Sequence, residues 1–195
     1  MLTFIWISII AIVITATLIV VYRSQLSLPV KRRRSLSANF PNVLTLRIGD
    51  IVQYLDQDWV VEDKLIYTSH NYRWIEYLLQ DNEEIRWLSI EEDDQVKVAW
   101  LETTQALNIL DYPPEQICFG EMTYYLDERG TAQMHREGAT LNQAEQCQYF
   151  DYSSNGNHIL CIENWSGDVE VSVGRMINPR SLTILGGDGQ RIYGV

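Results

Sequence analysis

The chain has 195 residues, 46% of them apolar and 21% charged, with three cysteines, which excludes a disordered chain, a collagen-like repeat and a disulfide-stapled miniprotein. Its 15 Lys and Arg stand against 26 Asp and Glu, a net charge of −11 and the wrong balance for binding nucleic acid. No catalytic motif stands out, so the reading is built from topology and fold.

At the N-terminus, Leu2–Tyr22 is a run of 21 residues without a charge. At about 1.5 Å per residue it crosses the roughly 30 Å hydrocarbon layer, where only a helix lets one segment satisfy its own backbone. Residues 1–23 are therefore expected to form one transmembrane helix. Arg23, Lys31, Arg32, Arg33 and Arg34 follow it and no Lys or Arg precedes it. The positive-inside bias then places the N-terminus outside and the C-terminal domain on the cytoplasmic side. A cleaved secretory signal would want a basic start, a shorter apolar core and a small-residue cleavage site, and the sequence has none of them. Residues 24–42 read as a basic juxtamembrane linker. The five basic residues between 23 and 34 are candidates for contact with anionic lipid headgroups, at about 1 kcal/mol each, and a topology signal alone explains them equally well.

After residue 42 no long helical periodicity persists, and residues 43–195 read as short runs of Val, Ile, Tyr, Trp and Leu broken by Gly, Asn, Asp and Ser, the pattern of antiparallel strands. The chain also matches itself, in units of about 43–101 and 116–185. Gly49-Asp50-Ile51 and Tyr54-Leu55-Asp56 recur as Gly120-Glu121-Met122 and Tyr125-Leu126-Asp127. Glu76-Tyr77 recurs as Asp151-Tyr152, Leu88-Ser89-Ile90-Glu91 as Leu160-Cys161-Ile162-Glu163, and Val96-Lys97-Val98 as Val169-Glu170-Val171. Asn155-Gly156 suits a two-residue type I′ turn, which pairs Tyr152 with Ile159 and Asp151 with Leu160. Carried through the repeat, this sets Glu76 opposite Leu88 and Trp74 opposite Ile90 across a three-residue loop, Asp81-Asn82-Glu83. Tyr77 and Trp87 then share the other face. Strands apolar on both faces point to a pseudo-duplicated sandwich or barrel, or to a face covered by a partner. Leu101–Leu110 is expected to be a short connecting helix ending before Pro113-Pro114, and Arg191–Val195 a terminal edge strand.

The strongest chemical lead is the acid repeated on an otherwise apolar face, Glu76 and Asp151. Burial raises a carboxyl pKa, and a pair of such groups can act as acid and base or hold a cation. A structural role, accepting hydrogen bonds at equivalent corners of a duplicated fold, is the competing reading. Trp74, Tyr77, Trp87 and Trp165, with Glu91 and Glu163 at strand ends, suggest an acidic, aromatic-rimmed groove suited to a small cation or polyamine. His70, His135 and His158 are isolated, and Cys118, Cys147 and Cys161 lack ligand spacing, so no metal and no cofactor are expected and the thiols read as reduced and buried.

Trp74-x-Glu76-Tyr77-x-Leu79 followed by Trp87-Leu88-Ser89-x-Glu91, with Gly130-x-Ala132 and Asp151-Tyr152 further on, resembles the bacterial domain-of-unknown-function family 4178, from Ile48-Gly49-Asp50 to about Leu185. The resemblance implies a β-rich domain without an established activity or catalytic residues to carry over, and the N-terminal anchor departs from many of its relatives. The expectation is a non-enzymatic, single-pass membrane protein whose cytoplasmic β domain serves a protein partner in a membrane complex, as scaffold, assembly factor or accessory subunit. A cation or polyamine sensor is the alternative, and a hydrolase using Glu76 and Asp151 a third.

Overall fold

A computed structural model describes residues 43–107, 109, 112–137, 145–187 and 189–193. The run Leu2–Tyr22 and the basic residues Arg23 and Lys31–Arg34 lie outside these, and no helix among the described residues is long and apolar enough to cross a membrane. The described residues form eleven antiparallel strands: β1 Ile51–Tyr54, β2 Gln57–Ser69, β3 Tyr72–Asp81, β4 Glu84–Glu92, β5 Val96–Thr103, β6 Gln116–Phe119, β7 Met122–Arg136, β8 Glu145–Ser154, β9 His158–Trp165, β10 Asp168–Ile177 and β11 Thr183–Leu185.

These are two meanders, β1–β5 and β6–β10, joined at two seams: β5 pairs with β10, and β2 pairs with β7 from Leu65 opposite Arg136 to Thr68 opposite Gln133. The two seams close β2, β3, β4, β5, β10, β9, β8 and β7 into an eight-stranded barrel. Of the sandwich and barrel left open by the sequence, the barrel is the outcome. β2 and β7 are long because each serves two layers. A β-bulge between Val61 and Asp63, and another between Leu126 and Glu128, bends the strand so that its first half carries β1 or β6 and its second half closes the barrel.

The repeat holds in its second half. Trp74 opposite Glu91 matches Tyr149 opposite Glu163, Glu76 opposite Ser89 matches Asp151 opposite Cys161, and Tyr77 opposite Leu88 matches Tyr152 opposite Leu160. The expected registers are each one residue off, because the turn lengths are interchanged. The β3–β4 turn has two residues, Asn82-Glu83, and the β8–β9 turn has three, Asn155–Asn157, with the left-handed φ values falling on Gly156 and Asn157. A one-residue slip moves the partner strand's side chains to the other face. Trp87 thus joins Trp74 and Glu76, while Leu88 and Ile90 join Tyr77. In the first half the sequence match is misplaced: Gly120-Glu121 is the β6–β7 turn and corresponds to Leu55-Asp56, whereas Leu126-Asp127 lies within β7.

Both strand faces are apolar because each half has its own core outside the barrel. In the first, Val52, Trp59, Val61, Tyr77, Leu79 and Leu88 lie under Val43, Leu46, Leu182 and Ile184. In the second, Ile117, Tyr124, Phe150, Tyr152 and Leu160 lie under Leu107 and Ile109. Fully burying each Leu or Ile contributes about 1.5–3 kcal/mol. The expected helix at 101–110 is not formed at its start, since Leu101–Thr103 completes β5. The terminal strand is β11, beside β1, and the described part of the expected one, Arg191–Tyr193, forms no strand. Ile192 and Tyr193 instead donate their backbone N–H groups to Oε1 of the fully buried Glu62, at 2.8 and 3.0 Å.

At the β5–β10 seam Gly174 faces Leu101, and a Cβ there would come within 1.9 Å of the Trp100 carbonyl oxygen. Gly174→Ala is expected to lower stability by about 1–3 kcal/mol, read as a fall in the thermal midpoint. Gly186→Ala, where an added Cβ meets nothing within 4 Å, should leave the midpoint nearly unchanged. Equal midpoints for the two variants would mean that the seam does not close as described.

Candidate functional site

Barrel closure turns alternate side chains of eight strands toward one axis. From β3 come Trp74 and Glu76, from β4 Trp87, Ser89 and Glu91, from β8 Tyr149 and Asp151, from β9 Cys161, Glu163 and Trp165, and from β2 Leu65 and Tyr67. The inward faces mix aromatic and apolar side chains, Leu65, Tyr67, Trp74, Met134 and Tyr149 among them, with the acids, while the outward faces are apolar and meet the two covering layers. Two cavities of about 240 and 410 Å³ occupy the interior, and Glu76, Leu101, Cys161 and Glu163 wall both. Trp87, Trp165, Arg136 and Glu170 continue the smaller one, and Tyr72, Glu91, Asp127 and Glu128 the larger.

An aromatic cluster braces one wall. Tyr67 stacks on Trp74 with centroids 4.8 Å apart and planes 6° off parallel, and Trp74 meets Tyr149 edge-on at 5.2 Å. Gly130 lies opposite Tyr149, whose ring occupies the space a Cβ would need. The Tyr67 hydroxyl donates to Oε2 of Glu163 at 3.1 Å, and that of Tyr149 to Oε1 of Glu128 at 2.9 Å.

Three acids in this interior hold their protons unusually tightly. Burial pushes Glu76 up to about 7; the charge of Asp151 adds to this, and Ser89 and the Trp74 indole beside it offset a part. Burial likewise raises Asp151 to about 7, with the Cys161 thiol pulling it back and Glu91 and Glu128 pushing further. Glu163 lies well above the usual carboxylate range through burial and the nearby Glu76, against the favourable bond from Tyr67. Among the described residues no Lys or Arg forms an ion pair with any of the three: Arg136 pairs with Asp63 at 3.2 Å and Lys97 with Glu91 at 3.3 Å. The Cys161 thiol is raised well above its ordinary value by burial and by Asp151, which keeps it protonated. No group of three His, Cys, Asp or Glu among the described residues is spaced to hold a metal ion.

Of the residues singled out in the sequence, Trp74, Glu76, Trp87, Glu91, Asp151, Glu163 and Trp165 line the barrel cavities. Tyr77 does not: it is fully buried in the first outer core, on the opposite face of β3. Cys118 is exposed rather than buried, while Cys147 is buried and Cys161 half-buried. The sequence reading missed Tyr67, Tyr149, Ser89 and Cys161. The repeat already pointed to Tyr149 and Cys161, as the counterparts of Trp74 and Ser89, whereas Tyr67 needs the β2–β3 register.

Residues 47–179 match the family model described as Domain of unknown function (DUF4178), and the chain belongs to that family. The match spans β1 to β10 and so both halves of the barrel, leaving out β11 and the residues after it. No curated protein and no solved structure matches the chain.

The raised carboxyls set a pH dependence. Glu76 and Asp151 keep their protons in the fold up to about pH 7 but release them in the unfolded chain near 4.5 and 3.8. Between those values the folded state binds more protons, so their contribution to stability is whole below about pH 4 and is lost as pH rises to 7. Chemical denaturation of the ligand-free chain is expected to give lower stability at pH 8 than at pH 5. Replacing both acids, Glu76→Gln with Asp151→Asn, should recover about 1–3 kcal/mol per site at pH 8 and flatten the slope. An unchanged slope in the double variant would show that these carboxyls are not held protonated.

Proposed function

We propose that this chain is a binding protein whose barrel takes up a small organic cation between Glu76, Asp151 and Glu163, and that the apolar run at 2–22 tethers it to a membrane with the barrel on the cytoplasmic side. The observation that carries the reading is the absence, among the described residues, of any Lys or Arg paired with these three inward-facing acids. Carboxylates removed from water without a counter-charge destabilise a fold unless they are neutralised. A ligand bringing positive charge recovers that loss. Ammonium N–H groups would donate to the carboxylates, and the Trp87 and Trp165 side chains of the cavity wall suit the alkyl stem and the charge together. The spacing of the acids favours an extended organic ion over a single metal ion, since no three of them converge.

A role in catalysis draws little support from the interior. Cys161 stays protonated, and no histidine lines either cavity. Strands apolar on both faces lend less support to a docking role for a protein partner, since the outer faces lie under Val43, Leu46, Leu182, Leu107 and Ile109 of the chain itself. The cavity therefore carries the functional reading, and the membrane tether serves either role.

Titration calorimetry on the full chain in detergent, with 1,4-diaminobutane, a linear triamine and magnesium as probes, is expected to give heat with the amines. Affinity should rise from pH 6 to pH 8, with protons released on binding, because the cation selects the ionised carboxylates. Glu76→Gln should weaken binding about tenfold or more. No heat from any cationic probe, or an affinity untouched by Glu76→Gln, would defeat the reading.

A further inference from the structure

The two halves differ at one edge. In the first, β1 is flanked on its outer side by β11, with Ile51 opposite Leu185, Val52 opposite Ile184 and Gln53 opposite Thr183. Val52 and Ile184 turn inward to the first outer core. In the second half β6 is the counterpart of β1: both enter a two-residue turn, and Ile117 stands where Val52 stands, buried in the second outer core. Among the described residues no strand lies on the outer side of β6, which ends the sheet.

The hairpin register states which groups are free. Phe119 opposite Met122 and Ile117 opposite Tyr124 turn their backbone groups toward β7, so the N–H and C=O groups of Gln116 and Cys118 face outward, as those of Ile51 and Gln53 face β11. Native sheets usually guard such an edge with Lys, Pro or an inward charge, and Gln116–Phe119 contains none.

We propose that β6 is completed by β6 of a second copy of this chain, antiparallel about a twofold axis through Ile117. The register that β11 adopts on β1 is self-complementary when carried to β6. Ile117 of the second copy takes the place of Ile184, and Gln116 of each copy lies opposite Cys118 of the other, exchanging two pairs of backbone hydrogen bonds. The two second-half cores then meet at the axis as one apolar strip. Charge favours the same occupant. In a chain of net charge −11 two copies repel over most of their surface, but at this edge Glu115 is paired with Arg129 at 3.0 Å. Gln116 and Cys118 are neutral, and the twofold axis sends Glu121 and its image to opposite ends of the strand pair. Tyr125, opposite Gln116 in β7, is 57% exposed and adds apolar surface beside this edge.

The test uses the full chain in detergent. Sedimentation up to about 0.5 mM should show a reversible dimer, and Cys118→Lys, which adds a charge to an exposed edge position, should weaken it about tenfold or more with an unchanged circular dichroism spectrum. Mild oxidation of Gln116→Cys should link position 116 of one copy to Cys118 of the other, as peptide mapping reads. A monomer throughout the range would overturn the proposal. So would a dimer that Cys118→Lys leaves intact, the outcome expected if copies associate through residues 2–22, or a dimer that oxidises without a 116–118 link.

Discussion

Everything in this molecule follows from the pairing of β2 with β7. Leu65 opposite Arg136 and Tyr67 opposite Met134 join the second strand of one half to the corresponding strand of the other, and with the β5–β10 seam they leave the barrel strands no open edge. The bulges make this possible by letting one strand belong to two layers at once. Without closure the polar faces of β3, β4, β8 and β9 would be ordinary solvent faces. With it, Glu76, Asp151 and Glu163 are gathered into a confined space where burial raises the hold of each on its proton, and the charge of Asp151 adds to the effect on Glu76 and Glu163.

In a small barrel the inside is usually the one core, and here it is one of three. Here two cores lie outside, and a third apolar cluster, with Leu65, Tyr67, Trp74, Ala132 and Met134, shares the interior with the acids. The two outer cores add stability beyond that of the interior, so the acids can remain unpaired without unfolding the chain. They also account for strands that are apolar on one side and rich in Trp, Tyr and acids on the other, a mixture that reads from the sequence as two apolar faces.

The duplication, the all-strand character and seven of the eight candidate site residues were legible in the sequence, because they depend on alternation and on self-similarity, which the residues carry directly. Register was not. Asn155-Gly156 signals a tight turn, but whether Asn157 also belongs to it depends on which residues take left-handed φ, and the hairpin settles that by packing Tyr152 and Leu160 into the second core. The error passed to the first half through the repeat, and it misplaced Tyr77 and Trp87 together. The match of Tyr54-Leu55-Asp56 with Tyr125-Leu126-Asp127 failed for a different reason: similar residues sit in a turn in one half and inside a bulged strand in the other. Tyr67 could not be seen at all, since nothing local shows that a tyrosine in β2 will stack on Trp74.

The capping of the first core by the last strand bears on how the chain is made. β1 and the layer beneath it wait for Leu182 and Ile184, about 130 residues downstream, so the half that leaves the ribosome first is the last to be finished. Until then Trp59, Val61 and Leu79 lack part of their cover. Translation thus proceeds with an apolar face open on the nascent polypeptide, a window in which chaperone engagement would protect it, and which closes when Thr183–Leu185 pairs with β1.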